Sequence, residues 1–351
     1  MQFSSLFVGA CASWLPASLP LRDAVDNGWL TEAAADQVGL EAVTISEQEY
    51  PPQMASYAAG EAQRRWGQSA KPVDLLLHSA LYYQGQDFWP SASYVQRVAL
   101  GYDCPSVEVR QMSNGGMAAL ELAAGYLAGD AQRHTALLTA ADRFATPGFN
   151  RWTSDPGTVY ADGAAALLLS NEHGFARLVS MVTVSDPDLE GMHRGADPFG
   201  DVPFSHRLPV DLDAHKRDFL SDFGLSPSIS RVAAGQRRSI ETSLAEAGLS
   251  LAQIDWFVLP NLGLRRLRNA YFEPFGIDPN RTTWSWLKQV GHLGPADQFA
   301  GLSALADGGR LRPGQHCMLL GVGAGFSWSC AVLEIVRLPA WAQRESIPTQ
   351  S

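Results

Sequence analysis

The stretch Ser106-Val-Glu-Val-Arg-Gln-Met-Ser-Asn-Gly-Gly-Met-Ala-Ala-Leu-Glu-Leu-Ala-Ala-Gly-Tyr-Leu127 decides the fold. Through Arg110 it alternates and carries β-branched residues, the pattern of a strand. From Met117 the apolar residues Met117, Leu120, Ala124 and Leu127 fall at helical spacing. Ser113 stands at the junction, before Asn114-Gly115-Gly116, and two glycines there permit a sharp turn and close approach of another group. A serine in this place faces the unpaired N–H groups and positive end of the following helix. Those donors suit an oxygen that becomes negative during acyl transfer. The plainer reading of Ser113 is a helix N-cap, and the stretch alone favours it. Gln-Met-Ser-Asn-Gly also departs from the Gly-x-Ser-x-Gly elbow, so a nucleophile needs support from the rest of the chain.

A chain of 351 residues is long enough for two domains or one large double unit. Its 46% hydrophobic and 18% charged residues are ordinary for a soluble α/β protein. The net charge of −10 argues against nonspecific nucleic-acid binding and against a polybasic membrane patch. No apolar run reaches the roughly 20 residues of a membrane span. Met1–Leu19 lacks a basic start and reads as a first strand, Phe3–Cys11, rather than a signal peptide. Cys11, Cys104, Cys317 and Cys330 are scattered, with no histidine at ligand spacing. Reduced thiols in a cytoplasmic protein, with no metal and no cofactor, are the expectation.

The second half of the chain repeats the order of the first. Residues 20–70 read as helical and polar, then Val73-Asp-Leu-Leu-Leu77 as a buried strand and Pro90–Leu100 as a helix. After the Ser113 unit come an apolar strand, Thr135–Ala140, and Tyr160-Ala-Asp-Gly-Ala-Ala-Ala-Leu-Leu-Leu169. Ile254-Asp-Trp-Phe-Val258 matches the buried strand. Trp284–His292 followed by a helix from Pro295 matches the strand–Ser113–helix unit, and Gln315–Gly321 and Ser327–Ile335 match the last two strands. Two units follow, residues 1–172 and 173–351, each expected to build a mostly parallel sheet covered by helices. Between them, residues 186–227 are rich in Asp, Pro, Gly and His, as in a long surface excursion or lid. His193, His206 and His215 lie in it, read as solvated loop histidines rather than metal ligands.

If the units pack about a pseudo-twofold axis, the Ser113 junction faces the junction carrying His292. Serine needs an adjacent base, and histidine suits that task near neutrality. In Gly291-His-Leu-Gly-Pro-Ala-Asp297, Pro295 marks a first helical turn. Asp297 either holds the second imidazole nitrogen, as in a Ser-His-Asp triad, or only complements the helix start. His292 is either the base or a packed core histidine. Gly321-Val-Gly-Ala-Gly-Phe-Ser-Trp328 is a third glycine-rich turn, able to add an oxyanion donor. It is a poor phosphate loop, since no Lys-Ser/Thr follows.

These landmarks resemble the ketoacyl synthase III-like branch of the thiolase superfamily over nearly the whole chain. They are Ser113-Asn-Gly-Gly, Tyr160-Ala-Asp-Gly-Ala-Ala, Ile254-Asp-Trp-Phe-Val, Gly291-His-Leu-Gly and Gly321-Val-Gly-Ala-Gly-Phe-Ser-Trp. The resemblance implies an α/β, five-layered αβαβα thiolase-like fold and a homodimer. Two departures matter. Condensing members have cysteine where this chain has Ser113. They also have His-Gln-Ala-Asn where it has Pro260-Asn-Leu-Gly263, and their later asparagine aligns with His292. Decarboxylative condensation uses a thiolate and two donors for an enolate oxygen, and Pro260 has no side-chain donor. The pattern looks like the acyltransferase offshoots of antibiotic and other secondary-metabolite biosynthesis, including polyketide pathways.

The resemblance assigns Ser113, His292 and Asp297 to catalysis and the N–H groups of Ser113 and Ala324 to the oxyanion hole. The adenine clamp of coenzyme A users falls near Ala33 and Pro156 and is lost, which favours an acyl carrier protein or polyketide synthase as donor over acyl-CoA. Arg265, Arg266 and Arg268 mark the expected carrier dock, although three arginines also suit a solvated helix face. Trp89 sits where the family's dimer partner lends an aromatic residue. Tyr82, Tyr83, Phe88 and Phe149, with Asn114, are the expected substrate contacts. The acceptor is a small molecule with a hydroxyl or amine. An inactive synthase-like partner subunit and a thioester hydrolase are the competing readings.

Overall fold

Among the described residues, aliphatic runs form eleven strands: β1 Phe7–Trp14, β2 Ser18–Pro20, β3 Ala42–Thr44, β4 Leu75–Ser79, β5 Ser106–Val109, β6 Thr135–Asp142, β7 Gly163–Ser170, β8 Ala176–Ser185, β9 Trp256–Val258, β10 His316–Gly323 and β11 Ser327–Ile335. They belong to a computed structural model that describes residues 1–67, 71–339 and 341–342. Residues 68–70 of the expected helical region and 340 and 343–351 of the expected second unit lie outside it.

Nine strands share one sheet, in the order β5-β4-β6-β7-β1-β8-β11-β10-β9, and β2 pairs with β3. Pairing is mixed rather than mostly parallel. β4 runs parallel to β5 and β6, and β9 to β10. The pairs β6–β7, β7–β1, β1–β8, β8–β11 and β11–β10 are antiparallel. The reason is plain at β10–β11, where only Ala324–Phe326 join the strands and no crossover fits.

β4, β6 and β7 are buried along their whole length, so both faces need covering. The helix Pro51–Trp66 packs on β1, β6 and β7, and the helix Leu225–Ala247 on β8 and β11. Between the two parts of the sheet lie the helices Gly115–Ala128 and Asp297–Asp307. The first touches β4–β7 and also β8 and β11; the second touches β1 and β7 and also β9 and β10. The layers thus run helix, sheet, helix pair, sheet, helix.

Three readings of the sequence need correcting. β1 starts at Phe7, not Phe3, after a bend at Ser4 and Ser5. Trp284–Leu287 is a helical turn, not a strand. Its alternating tryptophans mimic a strand, but the Thr282 Oγ1 accepts the Trp284 N–H at 3.1 Å and turns the chain. A single bridge, Phe257 with Thr282, stands where a counterpart of β5 would run. Finally, 186–227 is not an open loop. It holds a 3-10 helix, Pro187–His193, and the helix Leu212–Phe223, whose N-cap Asp211 accepts the Ala214 N–H at 2.9 Å.

Candidate active site

The strand–helix junction is strained at its turn. Met112, just before Ser113, sits at φ +50°, a left-handed conformation costly for a side-chain-bearing residue. Asn114, not Ser113, occupies the N-cap of the helix Gly115–Ala128. The Ser113 hydroxyl is therefore not spent on capping. Its Oγ lies 2.8 Å from His292 Nε2.

The imidazole comes from a turn that two glycines with positive φ make possible, Gly291 at +87° and Gly294 at +64°. The chain then passes through Pro295 into the helix that opens at Asp297. The Asp297 carboxylate folds back so that Oδ2 lies 2.7 Å from His292 Nδ1. It is fully buried and held by two more donors: Oδ1 accepts the Leu293 N–H at 2.8 Å and Oδ2 the Asn261 N–H at 2.7 Å. Both readings of Asp297 hold together, since one carboxylate complements the helix start and meets the imidazole. With Nδ1–H directed at the carboxylate, Nε2 is left to accept the serine proton. Tyr160 packs edge-on against the imidazole with ring centroids 4.9 Å apart.

Asn261 escaped the sequence reading. Its backbone N–H holds Asp297 and its side-chain Nδ2 donates to the Gly291 carbonyl at 2.9 Å, tying the β9 exit loop to the histidine turn. Nothing local in Pro260-Asn-Leu-Gly marks that long-range role.

Glycines also bring the third turn in. A Cβ on Gly323 would lie 2.7 Å from the Gln111 carbonyl oxygen and 2.9 Å from the Asn114 nitrogen. The end of β10 thus presses on the Ser113 turn, and Ala324 next to it lines the same cavity as Ser113 and His292. That cavity encloses about 480 Å³ and is largely apolar. One wall is polar, with Asp155, His193, Lys216 and Arg266.

Arg266, expected at the carrier dock, is half-buried and already paired. It makes a two-pronged pair with Asp155, at 2.8 and 3.0 Å, and donates to Thr158 Oγ1 at 2.6 Å. Burial opposes the Asp155 charge, but Arg266 and Lys216 outweigh it and hold this carboxyl below the usual range. Arg265 and Arg268 do lie exposed.

The other expected contacts are scattered. Asn114 is buried beneath the turn, donating to Ser329 Oγ at 2.8 Å and Ser327 Oγ at 3.1 Å; it anchors the junction to β11 and is not among the residues that line the cavity. Tyr82 and Phe149 pack with Phe144 and Tyr160 in an aromatic cluster behind the site; they brace Tyr160 and do not line the cavity. Trp89 stands at the surface, edge-on to Tyr94, with Tyr83 and Phe88 exposed nearby. His206 is exposed, but His215 is nearly buried against Asp197 at 3.0 Å, and His193 faces the cavity. Both were expected in solvent; His193 ends the 3-10 helix Pro187–His193 and His215 sits in the helix Leu212–Phe223, which hold them inward. No group of three metal-ligating side chains occurs among the described residues. No described helix is long and apolar enough to cross a membrane. Burial pushes the Cys330 thiol up to about 12 and raises Cys11, Cys104 and Cys317 as well, so none of the four is a ready thiolate.

Comparison with known proteins agrees with this architecture. Residues 107–187 match the family model of 3-oxoacyl-[acyl-carrier-protein] synthase III, and residues 244–335 match that of its C-terminal part. The β-ketoacyl-[acyl-carrier-protein] synthase III of Neisseria meningitidis serogroup A is 24% identical over 346 residues, 95% of this chain and 100% of the relative. Among solved structures, ChlB3, described as an acyltransferase, superposes with a TM-score of 0.92 at 33% identity, covering 96% of this chain and all of that one. FabH of Pseudomonas aeruginosa superposes at 0.76 with 20% identity, over 95% of this chain and 99% of that one. The chain belongs to the ketoacyl synthase III family and has its thiolase-like α/β fold.

Proposed function

We propose that this protein is a non-condensing acyltransferase that carries the acyl group on Ser113. The observation behind the reading is the unbroken chain Ser113 Oγ–His292 Nε2 and His292 Nδ1–Asp297 Oδ2, at 2.8 and 2.7 Å. His292 takes the Ser113 proton as Oγ attacks the thioester carbonyl. The oxyanion is held by the N–H groups of Ser113 and Ala324. The C–S bond then breaks and the leaving thiolate receives the proton from imidazolium. In the second half, the acceptor hydroxyl or amine gives its proton to His292 and attacks the acyl ester. Collapse returns the proton to Ser113. Pro260 offers no side-chain donor for an enolate oxygen, which favours transfer over carbon–carbon bond formation. The likeness to ChlB3, described as an acyltransferase, supports the same reading.

The donor in this proposal is a thioester on an acyl carrier protein or polyketide synthase, or on coenzyme A, since the relatives are named for carrier-protein chemistry. The exposed Arg265 and Arg268 are the remaining basic groups for an acidic carrier. The acceptor is a small secondary metabolite, as in antibiotic assembly in the cytoplasm. We take residues 1–172 and 173–351 as duplicated units working as a homodimer. β5 ends the sheet with Val107 exposed, and Phe88 and Trp89 stand out beside it, an edge and a patch suited to a second copy.

Intact-mass analysis after mixing with an acyl thioester tests the reading. An acyl adduct that maps to Ser113 and vanishes in Ser113→Ala is expected. No adduct with any thioester would leave an inactive partner subunit, and free acid as sole product would indicate a hydrolase.

A further inference from the structure

Both backbone groups of His292 are used by one neighbouring segment. The Ala161 N–H donates to the His292 carbonyl at 2.8 Å and the His292 N–H to the Val159 carbonyl at 3.0 Å, a one-residue parallel bridge centred on Tyr160. A Cβ on Gly291 would lie 3.1 Å from Ala161 Cβ, so glycine leaves room for this approach. The backbone thus sets Tyr160 beside the base. The imidazole plane is less fixed. Asp297 bonds Nδ1, and hydrogen bonds tolerate a broad range of angles, so one bond directs the nitrogen but defines the ring plane loosely. Nε2 has to meet Ser113 Oγ, 2.8 Å away. A displacement of about 1 Å at such a contact costs about a hundredfold in rate.

The Tyr160 side chain supplies the missing constraint. Its ring meets the imidazole at 72°, with centroids 4.9 Å apart. Phe144 and Phe149, both buried, wedge that ring edge-on from 4.8 and 4.7 Å. Phenylalanine at 160 would pack against them as well, so packing alone does not account for a tyrosine. The hydroxyl adds a tether. It donates to Asp155 Oδ2 at 3.3 Å, and the Arg266 guanidinium holds the two Asp155 oxygens at 2.8 and 3.0 Å. Burial, and after it the Asp155 charge, push the phenol well above its ordinary range, so the proton stays on oxygen and is available to the carboxylate. Arg266, Asp155, Tyr160 and His292 therefore form one line of contacts from the helical turn Leu264–Leu267 to the base.

We infer that Tyr160 is a positioning residue: its ring, tethered through the hydroxyl to the Asp155–Arg266 pair, holds the His292 imidazole in line with Ser113. The catalytic consequence rests on the acyl-transfer reading, whereas the restraint on the ring does not.

Tyr160→Phe removes the tether and keeps the ring; Tyr160→Leu removes both. With histidine ¹⁵N-labelled, the Nδ1–H of His292 should give a sharp correlation in the wild-type protein, broadened in Tyr160→Phe and lost in Tyr160→Leu. Thermal unfolding checks that each variant is folded, and the nearly isosteric Tyr160→Phe carries the test if Tyr160→Leu is not. Acylation of Ser113 by a thioester is the second readout. Tyr160→Phe should lower the rate constant at saturating thioester about tenfold with half-saturation within about twofold, and Tyr160→Leu should lower it about a hundredfold. Arg266→Lys, which lacks the fork that grips both Asp155 oxygens, should slow acylation in the wild-type background and add nothing to Tyr160→Phe. A wild-type rate and a sharp His292 signal in Tyr160→Phe would overturn the inference. So would a loss confined to half-saturation, the mark of a substrate contact. Absence of acylation in the wild-type protein would sink the transfer reading and leave the His292 resonance to decide the restraint.

Discussion

Ser113 Oγ and His292 Nε2 stand 2.8 Å apart although 179 positions separate them in the chain. What brings them together is backbone packing between two helix starts. A Cβ on Gly116 would lie 2.2 Å from the Pro295 carbonyl oxygen, and one on Gly115 would lie 3.2 Å from Pro295 Cβ. The glycines after the serine thus admit the turn that carries the histidine.

Gly116→Ala should destabilise the protein by about 1–3 kcal/mol or more, because backbone has to move aside. Gly125→Ala, exposed on the same helix with nothing near its Cβ, should stabilise by roughly 0.5–1 kcal/mol. Urea unfolding of the two variants checks the contrast, and equal effects would refute the close-packing argument.

Ser113→Ala should remove the acyl adduct and slow turnover by about a thousandfold or more. Ser113→Cys is the sharper variant. It should still be acylated, as a thioester, but release no CO₂ from a malonyl thioester, since Pro260 cannot hold the enolate. Detectable decarboxylative product from Ser113→Cys would contradict the non-condensing assignment.

Asp297→Asn should lower kcat by about 10³–10⁴-fold with KM little changed, because an amide no longer selects the Nδ1–H tautomer. The same substitution disturbs the acceptors for the Leu293 and Asn261 N–H groups. Thermal unfolding measured alongside separates loss of fold from loss of function.

The Asp155–Arg266 pair should leave a signature in pH. A carboxyl whose folded pKa is depressed contributes stability that is complete above its unfolded value of about 3.9 and is lost as pH falls toward the folded value. The wild-type urea midpoint should therefore drop as pH falls below about 4, and Asp155→Asn should lack that part of the slope. Arg266→Met should cost about 3–5 kcal/mol at neutral pH, having left a buried carboxylate short of its main partner. A surface role for Arg266 would make the substitution nearly silent.

Much of the molecule was legible in the chain because strands, helices and turns are written in local spacing. The Ser113 junction, Gly291–Asp297 and the glycine-rich turn at 321–328 all have the residues their backbone paths demand. Strand direction was not legible. The aliphatic runs of β6, β7, β10 and β11 suit either pairing, and only the connections and neighbours chose antiparallel. The alternation Trp284-Ser-Trp286 pointed to a strand, and one hydroxyl bond from Thr282 overrode it.

At the site the division is similar. Residue type and spacing made a serine, a histidine and an aspartate candidates beside plainer structural readings, and the family resemblance assigned them to catalysis. Tertiary packing decided which polar groups meet. It turned Arg266 inward to Asp155, sank Asn114 beneath the turn, recruited the Asn261 backbone and buried His193 Nδ1 with no partner among the described residues. Such contacts join segments tens to hundreds of residues apart, and hydrogen bonding at that range leaves no periodic trace in a sequence.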